Sequence, residues 1–140
     1  MIWLTGLKVL LWVTLCVSST KEENDTLEVQ TITNRNITPA RGSSVKLSCI
    51  ALYDFELYGS LLRVGWYNFT DYELTDPRKY FTTVNETVSD DNRRRRQVVT
   101  EILNLTPEDN GQYQCQARCD SGETSVGHYI QITVQGKSSD

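Results

Sequence analysis

Cys49, Trp66 and Cys115 stand at intervals that few folds accommodate. Trp66 follows Cys49 by 17 residues, and Cys115 comes 66 residues after Cys49, at the end of the run Asp109-Asn-Gly111-Gln-Tyr113-Gln-Cys115. Each lies in a short burst of alternating apolar and polar residues. In Val45-Lys-Leu-Ser-Cys-Ile-Ala51 the period of two puts Val45, Leu47, Cys49 and Ala51 on one side, with Lys46, Ser48 and Ile50 on the other. Cys49 therefore faces a core. Leu62, Val64 and Trp66 form a second inward set, Val98, Thr100 and Ile102 a third, Tyr113, Cys115 and Ala117 a fourth, and Ile130, Ile132 and Val134 a fifth. Clusters of Gly, Asp, Asn and Ser separate the bursts, as in Arg41-Gly-Ser-Ser44 before the first. This is the pattern of antiparallel strands with one wet face, and two facing sheets would bury every inward set.

The Cys, Trp, Cys order, with a tyrosine two residues before the second cysteine, resembles that of immunoglobulin-type domains. The resemblance implies an all-β, two-sheet antiparallel sandwich. A Cys49–Cys115 disulfide would join the sheets, Trp66 would pack on it, and the Tyr113 hydroxyl would satisfy backbone at a corner shaped by Asp109 and Gly111. Closing that loop stabilises a domain by about 4 kcal/mol in the chain-entropy description, so the bridge is expected to be structural. The long interval between the cysteines leaves room for strands C′, D and E, which favours a variable-type set, with residues 79–84 as strand D. One domain of this kind is expected over residues 20–135, with residues 136–140 a tail or the start of a stalk.

Residues 1–19 read as an address. A single early charge, Lys8, precedes the nine-residue apolar run Val9 to Val17, and small residues at Ser18 and Ser19 lead into Lys21-Glu-Glu23. That is a signal-peptide pattern, too short to span a bilayer. A buried N-terminal strand or helix is the alternative, and the abrupt switch to charge argues against it. Five Asn-x-Thr sequons, at Asn24, Asn36, Asn68, Asn85 and Asn104, agree with export, since about one is expected by chance. A proline follows the threonine at Asn36 and Asn104, which lowers their expected occupancy; Asn24 and Asn85 lie in polar stretches. Removing the leader takes Cys16 with it and leaves Cys49, Cys115 and Cys119. In an oxidising compartment two of three should pair. No later run reaches the length of a membrane span, so the expectation is a secreted chain or the outer part of something longer, held to a membrane only through a segment absent from residues 1–140.

Two stretches carry a closer resemblance: Ile37-Thr-Pro-Ala-Arg-Gly-Ser-Ser-Val-Lys-Leu-Ser-Cys49 and Thr106-Pro-Glu-Asp-Asn-Gly-Gln-Tyr-Gln-Cys-Gln-Ala-Arg-Cys119. Both resemble the extracellular domain of the immunoglobulin-beta signalling chains of the B-cell receptor. The cysteine four residues after Cys115 is the sharper part. Val126-Gly-His-Tyr-Ile130 stands where antigen-receptor variable domains carry a Phe/Trp-Gly-x-Gly bulge, so the chain does not resemble an antibody or T-cell receptor domain. The resemblance implies an accessory chain that pairs with a sister chain and escorts membrane immunoglobulin. Such chains pair the cysteine after strand F with one before strand A. Here residues 20–48 contain no cysteine, and His128 stands near the position of a further one. Cys119 is thereby left for an interchain disulfide, in a homo- or heterodimer with another immunoglobulin-superfamily chain, or as a free or capped thiol; a buried inert thiol is the bland alternative. It is expected in a loop past strand F.

Eighteen acidic and fourteen basic residues give a net charge of -4, which disfavours nucleic acid as a partner. One histidine, His128, leaves no material for a Ser-His-Asp constellation or a multi-histidine metal site, so neither catalysis nor a cofactor is expected. Arg93, Arg94, Arg95 and Arg96 form the most conspicuous run and are placed just before strand E. They form a processing site, a patch for an anionic glycan or acidic partner, or a solvated edge beside neighbouring aspartates; the last is favoured. One of them is also expected, by resemblance, to face Asp109. The leading expectation is a non-enzymatic extracellular domain that assembles with another receptor chain. The alternative is a secreted or cell-surface ligand-binding or adhesion domain, an innate receptor or decoy, using residues 53–61 with Tyr53, Phe55 and Tyr58, and residues 120–125.

Overall fold

The computed structural model describes residues 27–58, 62–89, 91–120 and 122–136. The signal-peptide reading, Asn24 and residues 137–140 lie outside the described residues. Among the described residues nine strands form: β1 (Leu27–Thr31), β2 (Asn36–Ile37), β3 (Val45–Asp54), β4 (Leu62–Asn68), β5 (Tyr80–Val88), β6 (Arg93–Ile102), β7 (Gly111–Cys119), β8 (Thr124–Val126) and β9 (Ile130–Ile132). A single helical turn, α1 (Phe55–Tyr58), follows β3, and a 3-10 turn, Pro107–Asp109, precedes β7.

One sheet has the order β1-β3-β6-β5 and the other the order β2-β9-β7-β4, with β8 also on β7. In immunoglobulin terms these are strands A, B, E, D and A′, G, F, C, so the chain is an immunoglobulin-like two-sheet sandwich. The first strand switches sheets. After β1 pairs antiparallel with β3, residues 32–35 cross over and β2 runs parallel to β9.

The inward sets meet as the alternation requires. Leu47, Cys49, Val98 and Ile102 from one sheet pack against Trp66, Tyr113, Cys115, Ile130 and Ile132 from the other. A disulfide joins Cys49 on β3 to Cys115 on β7 and so ties the layers together. Trp66, opposite Cys115 in the register, is buried in the same cluster, and its Nε1 donates to the Val98 carbonyl at 3.4 Å. A second cluster closes one end of the sandwich: Leu27, Ala51, Tyr53, Leu62 and Ala117, capped by Tyr58 of α1.

Two strand expectations change. Among the described residues strand C′ is reduced to one bridge, between Tyr67 and Glu73. The Asn68 side chain turns the chain there, accepting from the amides of Thr70 and Tyr72. The returning segment meets β4 only briefly, through the Asn68 amide to the Tyr72 carbonyl and the Leu74 amide to the Trp66 carbonyl, and the Leu74 side chain enters the core. Strand D begins at Tyr80 and runs to Val88, longer than residues 79–84, because Asn85 to Val88 pair with the Gln97 to Arg94 stretch of β6. Without C′ opposite, Val84 and Val88 remain 59% and 66% exposed although they alternate toward the interior.

Candidate recognition surfaces

The corner before β7 is a polar knot. Thr106 caps the 3-10 turn, Asp109 Oδ2 accepts from the Thr106 amide at 2.9 Å, and the Tyr113 hydroxyl donates to the Asp109 carbonyl at 2.7 Å. Burial, reinforced by the Asp109 charge, pushes the Tyr113 phenol far above its ordinary value, so it stays a donor. The cation facing Asp109 is Lys79, at 2.8 Å, and not an arginine of the 93–96 run. Register explains the correction. The run occupies the end of β6 opposite Asp54, whereas Ile102, at the Asp109 end, lies opposite Val45.

The arginines stand inside strand E rather than before it. Arg93 to Arg96 are the first four residues of β6, and their backbones pair with β3, three of them also with β5. Alternation sends Arg94 and Arg96 inward and Arg93 and Arg95 outward. The Arg94 guanidinium lies 4.3 Å from the Phe55 ring centroid. Arg96 lies 5.3 Å from that of Tyr53 and donates to Glu86 Oε1 at 2.5 Å and to the Leu62 carbonyl at 2.7 Å. Tyr53 also donates to Glu86. Burial raises the Glu86 carboxyl, but the bonds from Tyr53 and Arg96 outweigh it and hold the group below its usual range. A processing protease binds an extended segment through its free backbone edges. Both edges here are taken along most of the run, which argues against the processing reading.

The outer face of the other sheet is organised differently. Gln112, Gln114, Gln116 and Arg118 alternate outward along β7, while Tyr113, Cys115 and Ala117 face the core. Arg118 stacks 4.2 Å from the Tyr67 ring centroid and donates to Asp71 Oδ1 at 2.7 Å and, through Nε, to Gln116 Oε1 at 2.9 Å. Gln116 donates to the same Asp71 oxygen at 3.2 Å. Asp71 holds a left-handed φ of 68°, and the bond from Arg118 keeps its carboxyl below the ordinary carboxylate value. Near this network Tyr72, next to Asp71 in the chain, is 72% exposed, and Val126, opposite Gln116, and Tyr129 are about half exposed; Phe69, 69% exposed, lies at the far end of β7 beside Gly111. A fixed cation on a face with exposed aromatic and aliphatic groups is the composition of a protein-recognition surface.

The loop reading, residues 53–61 and 120–125, falls in part outside the described residues, at 59–61 and 121. Of the aromatic residues assigned to a binding loop, Tyr53 and Tyr58 are buried in the second cluster, and Phe55 lies beneath Arg94. The legible signal for the observed face was the outward row Gln112, Gln114, Gln116, Arg118. Cys119 is also displaced from its expected loop. It is the last residue of β7, opposite Leu62, half-buried against the second cluster, with no disulfide partner among the described residues. His128 falls in the break between β8 and β9, where its carbonyl accepts from Thr31 Oγ1 at 3.3 Å.

Asn36, Asn85 and Asn104 are exposed, and Asn104 sits at a φ of 49°. The Asn68 carboxamide is tied into its turn, with Oδ1 accepting from the Thr70 hydroxyl at 2.7 Å. Among the described residues no three His, Cys, Asp or Glu side chains gather to hold a metal, and no helix is long and apolar enough to cross a membrane. A shallow groove of about 280 Å³ on the outer face of the first sheet is lined by Lys46, Phe81, Thr83, Val99 and Glu101, without histidine or cysteine.

No family model matches the chain, and no curated protein does. The fold is similar to solved structures. One is the crystal structure of Dpr2 Ig1-Ig2 in complex with DIP-Theta Ig1-Ig3, at a TM-score of 0.54 and 17% identity over 79% of this chain and 50% of that one. The chain thus spans about half the length of that solved chain, and at this identity the likeness shows the fold.

Proposed function

We propose that the chain is the extracellular, non-enzymatic recognition domain of an immune receptor and assembles with another immunoglobulin-superfamily chain through the outer face of the β2-β9-β7-β4 sheet. The observation that carries this reading is the Arg118 guanidinium fixed by Asp71, Gln116 and Tyr67 on a sheet face with exposed Tyr72, Val126 and Tyr129. Aromatic and arginine side chains are the groups that dominate binding energy at protein interfaces. The solved neighbour, an immunoglobulin domain in complex with another immunoglobulin chain, supports a partner of that general class. A disulfide-linked sandwich suits an oxidising, extracellular setting.

The resemblance of residues 37–49 and 106–119 to immunoglobulin-beta chains supports the finer reading, an accessory subunit of a B-cell receptor complex with Cys119 bridging to the sister chain. The alternative, a secreted or cell-surface adhesion domain, uses the same face on a ligand. Co-precipitation of the secreted domain with the ectodomain of its sister accessory chain tests the first. Wild type is expected to co-purify, partly as a reducible dimer; Arg118→Glu is expected to lose the complex, and Cys119→Ser only its covalent fraction. Equal capture of wild type and Arg118→Glu would remove this face from the interface. No capture of the sister chain would leave the adhesion reading.

A further inference from the structure

β5 is a free edge. β6 takes one side of its backbone, and no described strand takes the other. Every residue from Phe81 to Val88 is exposed. The strand reads Tyr-Phe-Thr-Thr-Val-Asn-Glu-Thr-Val, without Pro, Gly or Lys, and its one charge, Glu86, is neutralised by Arg96. Long, uncharged edges rich in Thr, Val and aromatic residues are templates for pairing with another chain, and natural sheets blunt them. Of the usual devices only an inward-pointing charge is present, Glu86, and Arg96 neutralises it. Antiparallel pairing of two copies about Val84 would set Val84 on Val84, Phe81 on Thr87 and Tyr80 on Val88, with no like charges opposed.

The middle of the strand carries a different remedy. Asn85 lies opposite Gln97, whose amide donates to Ser48 Oγ at 3.2 Å on the outer face, so Asn85 projects outward there, exposed. It heads the sequon Asn85-Glu-Thr87. The other described sequons are less favourable, Asn68 through its engaged carboxamide and Asn36 and Asn104 through the proline that follows. A branched sugar is broader than the strand spacing of about 4.8 Å, and it cannot be desolvated against a second sheet.

We propose that Asn85 carries an N-linked glycan that caps the free edge of β5 and keeps copies of the domain from pairing edge to edge. The inference rests on the extracellular reading above, and on no particular partner. Glycopeptide mass spectrometry of protein secreted from animal cells reads occupancy, and size exclusion with light scattering at tens of micromolar reads association. Asn85 is expected to be occupied. Asn85→Gln and Thr87→Ala, which both destroy the sequon, are expected to form concentration-dependent dimers and larger species. Asn85→Lys, which puts a charge on the edge where the sugar stood, is expected to remain monomeric. A bare Asn85 beside other occupied sequons overturns the proposal alone, as does monomeric Asn85→Gln and Thr87→Ala protein. Association of Asn85→Lys to the same extent also overturns it, since the contact then lies elsewhere. A secreted chain with no occupied sequon, or no secretion, removes the extracellular reading together with it.

Discussion

Replacing Arg96 by alanine tests whether the arginine run belongs to the framework of the domain. The Arg96 side chain is 16% exposed and that of Glu86 is 32% exposed. Its guanidinium donates to Glu86 at 2.5 Å, to the Leu62 carbonyl at 2.7 Å and to the Tyr53 hydroxyl at 3.2 Å. Truncation leaves a carboxylate, a carbonyl and a phenol short of a donor and strips the alkyl stem from the Tyr53 ring. A bond from a charged donor contributes about 1.5–3 kcal/mol when its partner is buried, and the partial exposure of Glu86 reduces its share. A loss of about 3 kcal/mol follows. In a domain of this size that lowers the melting temperature by about 10 °C. Arg93, exposed at the start of β6, should cost under about 0.5 kcal/mol when replaced by alanine. Scanning calorimetry on the purified domain compares the two. A cycle with Glu86→Gln should show a coupling of about 1 kcal/mol or more. Arg96→Ala melting within a degree of wild type, or Arg93→Ala losing as much as Arg96→Ala, would refute the reasoning.

Acid should erase part of that difference. Glu86 has a depressed pKa in the folded state, so the stability it contributes is present above the ordinary carboxylate value and is lost as pH falls through the lower folded value. Urea titrations at neutral pH and near pH 3 should show the cost of Arg96→Ala shrinking at the lower pH. Tyr113→Phe removes the buried bond to the Asp109 carbonyl and should lower stability by about 1–2 kcal/mol in the same assay, with strand content unchanged by circular dichroism. Gly127→Ala places a methyl group against the Thr31 hydroxyl, where the break after β8 passes beneath β1, and should cost about 1–3 kcal/mol. Adding Thr31→Ala should recover most of that loss in calorimetry.

Strand faces were legible where chemistry alternates cleanly. Leu47, Cys49 and Ala51 against Lys46 and Ser48 could be read directly, as could Tyr113, Cys115 and Ala117 against the glutamines between them. Strand C′ was not. The residues after β4 have a suitable length, but the turn at Asn68 and the left-handed Asp71 end the strand, and the Leu74 side chain is buried in the core. The four arginines looked like a solvated edge because like charges repel in a list. In a strand they part to opposite faces, and aromatic rings more than 30 residues away receive two of them. Tyr53 and Tyr58 illustrate the converse. Periodicity tells which side a residue takes, not where the strand ends, so residues closing the end of the sandwich resembled a binding loop. The proposed recognition face joins Tyr67, Asp71, Arg118 and Tyr129, which only the pairing of β4, β7 and β9 brings together.

The crossover of the first strand from one sheet to the other bears on how the domain carries a load. Leu27 enters beside Tyr53 at one end, and the chain leaves at the other, where the Gln135 amide donates to the Pro39 carbonyl. Tension between the two exits therefore runs along the strand axes, and the β1–β3 and β2–β9 bonds must shear together instead of peeling one by one. A domain strung between neighbours in this way would hold its shape when pulled.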